Sequence, residues 1–166
     1  MNEIECALMM AELRQAHPEL EELIAKIESK YVHREEPVFR RFRASLRISG
    51  DGLDFDEISS VLGLTPTHTH RKGEQRTPHS KTWPNDAWHY QAQIDCERPL
   101  DEHIMDIWNA VRSQIPYLRN LKQNFEVDIF CGYRSNSSTA GFKVDHRCLG
   151  LFSELGIPFG VSVIIS

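Results

Sequence analysis

"FRRFRASLRIS", residues 39–49, alternates with a period of two. Phe42, Ala44, Leu46 and Ile48 fall on one side, and Arg41, Arg43, Ser45 and Arg47 on the other. Successive side chains of a strand point to opposite faces, so the stretch predicts a strand with one apolar and one cationic face. Two later segments repeat the pattern. In "AWHYQAQID" (87–95), Trp88, Tyr90, Ala92 and Ile94 alternate with His89, Gln91 and Gln93. In "NFEVDIFCGY" (124–133), Phe125, Val127, Ile129 and Cys131 alternate with Glu126, Asp128 and Phe130. A sheet with one apolar and one polar face is expected to be mainly antiparallel, with its helices packed on one face: an α+β fold.

Between these strands the period changes to that of a helix. "DFDEISSVLG" (54–63) predicts a short helix with Asp54 as N-cap, Glu57 completing a capping box and Gly63 at the stop. "LDEHIMDIWNAVRSQIPYLRNL" (100–121) carries Ile104, Ile107, Trp108, Val111, Ile115 and Leu118 at helical spacing, with a kink or break expected at Pro116. "RSNSSTAG" (134–141) reads as a hairpin loop and "GFKVD" (141–145) as its short partner strand. "HRCLGLFSELG" (146–156) predicts a helix closed by Gly156, and "PFGVSVIIS" (158–166) a final strand. The expected order is β-α-β-α-β-β-α-β, related to the ferredoxin-like arrangement. "ISSVLGLTP" (58–66) and "LFSELGIPF" (151–159) resemble each other, which suggests two related strand-helix halves.

Residues 1–36 read as an N-terminal helical extension broken near Pro18, with Leu20, Leu23, Ile24, Ile27 and Tyr31 on one face. That face predicts docking on the protein's own body or self-association into a homodimer. The extension holds nine acids against four Lys/Arg, whereas residues 37–166, read as a single α+β domain, hold fifteen of each. The net charge of −5 therefore belongs to the extension, and the domain has no overall bias toward nucleic acid. No apolar run is long enough to span a bilayer, and no signal-peptide pattern opens the chain. Cys6, Cys96, Cys131 and Cys148 are scattered, without a CxxC pair, as expected of reduced thiols in a cytoplasmic protein.

The stretch most like a site is "TPTHTHRKGEQRTPHSK" (65–81), with three histidines and four Lys/Arg against one acid. His68 and His70 would share a side of an extended segment, and His79 or His89 could add a third metal ligand. Arg71, Lys72, Arg76 and Lys81 around Gly73 could instead hold an anion or a partner's carboxylates. Neither GxxxxGK[ST] nor GxGxxG is present, and no cofactor is expected. Phe130 is the one aromatic in phase on the open sheet face, which argues against a base-stacking RNA surface; the face's arginines are expected to pair with Glu126 and Asp128. Cys131 alternates inward and reads as core, not nucleophile.

With "LRISGDGLDFDEISSVLGLTPTHTHRKGE", a later strand tryptophan, "LDEHI", "FCGY", "GF" and "LGIPFGVSVII", the chain resembles a bacterial domain-of-unknown-function family, DUF family 4279, over residues 38–165. The resemblance implies a small α+β domain without an established activity, some of whose relatives are suspected of immunity or other interaction roles. Its matching positions include Gly50-Asp51, Lys72-Gly73, Trp88 and Cys131-Gly132; the histidines at 68 and 70 stand outside its pattern. The combined expectation is a non-enzymatic module binding an acidic protein through Arg71, Lys72, Arg76 and Trp83, helped by Tyr133 and Arg134. The competing expectations are a metal-dependent hydrolase using His68, His70 and His79, and a structural subunit dimerising through the N-terminal helices.

Overall fold

Strand β1 (Arg40–Gly50) is the centre of the sheet because its alternation gives it a face to bury and two long edges to pair. Phe42, Ala44, Leu46 and Ile48 are all buried, as their spacing predicts. In this computed structural model, which describes residues 37–77, 79–139 and 141–166, β1 is followed by α1 (Phe55–Leu62), β2 (His68–His70) and β3 (Asp86–Gln91). Then come α2 (Leu100–Val111), a 3-10 turn, α3 (Ile115–Leu121), β4 (Glu126–Ser135), a second 3-10 turn, α4 (Gly150–Leu155) and β5 (Val161–Ile165). The helices expected over residues 1–36, and any dimerisation through them, lie outside the described residues.

The five strands form one sheet in the order β2-β3-β1-β4-β5. β1 runs antiparallel to β3 and β4, and β2 antiparallel to β3, but β5 is parallel to β4. The sheet is therefore mixed, which corrects the expectation of a mainly antiparallel one. The cause is the connection: the chain leaves β4, crosses over through α4 and returns in the same direction. The inward sheet residues join Ile58 and Leu62 of α1, Ile104 and Ile107 of α2, Leu118 of α3 and Leu151 and Phe152 of α4 in a single core. Its largest fully buried side chain is Trp88, whose indole N–H donates to Ser59 Oγ at 3.0 Å.

Two further corrections follow from that topology. "GFKVD" is not a strand: the edge of β4 it would occupy belongs to β5. Phe142 instead packs edge-on to Phe42 at 5.6 Å and lies 5.1 Å from Tyr133, and Asp145 caps the next 3-10 turn by accepting from Arg147 N–H. Conversely, His68–His70, expected as loop, pairs with β3 as an edge strand. The observed order is β-α-β-β-α-α-β-α-β, with the long helix broken at the 3-10 turn Arg112–Gln114 and Pro116 in the first turn of α3. Asp54 caps α1 as its sequence predicts, accepting from Glu57 N–H. The two similar segments both end a helix at a left-handed glycine, Gly63 and Gly156, and each leads into an edge strand.

Candidate functional site

The "RKG" stretch is built into the fold through one carboxylate. Asp86 opens β3 and is only 6% exposed. Its Oδ1 accepts from Lys72 N–H at 2.8 Å, and its Oδ2 from Gly52 N–H at 3.0 Å and Leu53 N–H at 3.1 Å. Arg71 adds a contact to Oδ2 at 3.2 Å, donates to the Leu53 carbonyl at 2.6 Å and lies 3.6 Å over the Phe55 ring. Hydrogen bonds to the charged form, that from Lys72 N–H foremost, hold Asp86 below the usual carboxylate range against the opposing effect of burial. The Lys72 ammonium pairs with Asp51. Arg71 and Lys72 thus tie the turn after β1 to the turn after β2.

The histidines cluster on the open sheet face. His68 pairs with His89 across β2 and β3, and their rings lie 5.6 Å apart. His68 Nε2 is 3.1 Å from His70 Nδ1. The Trp83 indole stacks on His70 at 3.7 Å, and the Arg76 guanidinium lies 3.9 Å over the same indole. His70, Arg76, Trp83 and His89, together with Arg47 and Asp128, line a cleft of about 250 Å³. Burial lowers the His89 pKa to about 4, with the neighbouring His68, Arg47 and His70 adding in the same direction. Burial likewise lowers that of His70. Among the described residues no three His, Cys, Asp or Glu side chains are arranged to hold a metal ion, and His79 sits apart in an exposed turn.

A second cleft, of about 330 Å³, opens at the other end of the same face. Arg41, Arg43 and Arg134 line it, with Phe130, Gly132 and Ser162. Register explains the gathering: Arg41 is directly opposite Arg134, and Arg43 opposite Gly132. Gly132 serves here by lacking a side chain, since a Cβ would meet Arg43 Nε and the Phe130 ring at 3.0 Å. Arg43 and Arg47 lie 5.1 and 5.0 Å over Phe130. Arg47 forms the expected cross-strand pair with Asp128, donating from Nε at 2.7 Å and from its terminal nitrogen as well. Arg41, Arg43 and Arg134 form no ion pair among the described residues; Arg134 Nε donates only to Ser166 Oγ at 3.1 Å. The expectation that the face's arginines pair with Glu126 and Asp128 holds for Arg47 alone.

The six residues expected to form one binding surface fall in four places. Arg71 and Lys72 belong to the Asp86 clamp, Arg76 and Trp83 to the histidine cleft, and Arg134 to the arginine cleft. Tyr133 packs into the core, 3% exposed and stacked on Phe42 at 4.9 Å, and it also lines the arginine cleft beside Arg134. Sequence reasoning placed Arg41 and Arg43 on the open face but missed their meeting with Arg134. That requires the register between β1 and β4, which periodicity does not contain.

No helix among the described residues is long and apolar enough to cross a membrane. Comparison with curated proteins and with solved structures finds no match. Residues 40–166 match the family model of a domain of unknown function, DUF4279. With every described strand and helix inside that match, the chain belongs to the DUF4279 family.

Proposed function

We propose that this chain is a non-catalytic binding module for an acidic protein partner, and that the arginine cleft, not the 65–81 loop, is its contact surface. One observation carries the reading: Arg41 and Arg134 stand directly opposite each other across β1 and β4, with Arg43 beside them, and among the described residues no carboxylate pairs with any of the three. Like charges directly opposite in an antiparallel pair are destabilising, so the arrangement favours an anion between them. Guanidinium groups present fixed forks suited to carboxylates. A nucleophile is a poor alternative among the buried thiols, since burial pushes Cys131 up to about 12 and keeps it protonated at neutral pH.

The test uses a fluorescein-labelled decaglutamate peptide, with anisotropy measured on the full-length chain. Binding at about 50 mM salt is expected to weaken at about 300 mM, because exposed charges are screened. The Arg41→Ala/Arg43→Ala variant should bind about tenfold more weakly or worse, losing two charge-assisted contacts. Arg76→Ala should bind as the parent does. Equal binding by parent and double variant would overturn the assignment.

A further inference from the structure

The arginine cleft is continuous with a sheet edge that no other described strand pairs. β5 is the outermost strand beside β4, and its outer N–H and C=O groups have no partner among the described residues. Edge strands are normally guarded against further pairing by lysines, prolines, bulges or a covering element. "VSVII" (161–165) contains no charge and no proline, and Val163, Ile164 and Ile165 are 56%, 48% and 49% exposed. Its register joins it to the cleft: Ser162 lies beside Gly132 and Ile164 beside Arg134, and both line the cleft with the arginines.

We propose that the acidic partner is taken up as a sixth strand on the free edge of β5, through an extended segment in which acidic and aliphatic residues alternate. The inference rests on the cleft reading given under Proposed function. An added strand sends alternate side chains to the two sheet faces. On the open face they stand one strand beyond Ser162 and Ile164 and two beyond Gly132 and Arg134, roughly 10 Å from the β4 backbone. A glutamate and an arginine side chain together bridge that distance over Ile164. Acids at these positions meet Arg134, with Arg41 and Arg43 behind it, while the intervening residues lie beside Val163 and Ile165 on the opposite face. Charge decides the occupant. A second copy of β5 would bring only serine and aliphatic side chains and leave all three guanidiniums without a counter-charge.

Three labelled peptides of matched length test this on the whole chain: alternating Glu-Val repeats, the same residues in two blocks, and the alternating peptide N-methylated at every residue. The alternating peptide is expected to bind at least about tenfold tighter than the other two, because only it can supply both ladder hydrogen bonds and in-phase acids. Ile164→Glu, at an exposed position, should remove that advantage. If all three peptides bind equally and all weaken with Arg41→Ala/Arg43→Ala, strand addition is overturned while the cleft stands. If none binds, both readings fall. If light scattering finds a dimer that Ile164→Glu dissociates, the occupant is a second copy and the proposal is overturned.

Discussion

Asp86 converts two turns that are unrelated in sequence into one rigid corner. Its carboxylate satisfies three backbone N–H groups and one guanidinium, so removing it leaves several polar groups without partners at once. Asp86→Ala is expected to cost about 2–4 kcal/mol, read as a lower urea midpoint, because unsatisfied buried donors carry their full desolvation penalty. Lys72→Ala should cost less than about 1 kcal/mol, since its ion pair with Asp51 is exposed on both sides. A cost for Lys72→Ala as large as that for Asp86→Ala would contradict this division. In the sequence, Lys72 stands out as an exposed cation that packing does not explain. Its reason is Asp51, twenty-one residues earlier, and the backbone it anchors reaches Asp86, fourteen later. Neither partner is signalled by local pattern, so the residue was visible and its role was not.

At the scale of elements, faces were legible and neighbours were not. Alternation in β1 and β4 correctly separated buried from open positions, and capping chemistry correctly bounded α1; in β3 it marked Trp88 as buried, but His89 and Tyr90 are both half-buried. Periodicity carries no information about strand direction or order, and so the parallel β5 and the loss of "GFKVD" as a strand became visible only with the topology. β2 escaped for a different reason. At three residues it is too short for a period, and its polar composition imitates a loop. What holds it is its pairing with β3 together with Trp83, whose stack on His70 returns the 71–85 segment to the sheet. Trp83→Ala should therefore destabilise the protein by about 1–2 kcal/mol, through the loss of the aromatic and cation–π contacts. It should also raise amide exchange in His68–His70 far more than in β1 or β4. Uniform exchange changes across the sheet would show that the indole supports the whole fold and not this edge.

Across the whole molecule, the histidine cleft couples stability to pH. Beside His68 and His70 the sequence offered His79 or His89 as a third member of the cluster; strand pairing brings in His89, while His79 remains outside. Folding holds His89 at about 4, below its ordinary 6.5, chiefly by burial. Between those values the unfolded chain binds a proton that the folded chain does not, so stability must fall as pH drops from about 6.5 to about 4 and then level off for this group. His70 is lowered by burial too, and adds in the same direction. The buried imidazole of His103 on α2 does likewise. Asp86, whose pKa is depressed, contributes stability that is present above the ordinary carboxylate pKa and is lost at lower pH, as it protonates. The His89 shift alone corresponds to at most about 3 kcal/mol, and partial solvent access reduces this to about 1–2 kcal/mol. Urea titrations between about pH 7.5 and 4.5 should show this loss in the parent chain, with His89→Gln flattening a large part of it. The parent's full slope surviving in His89→Gln would place the coupling in His70 and His103 instead, and would remove His89 from the account of acid sensitivity.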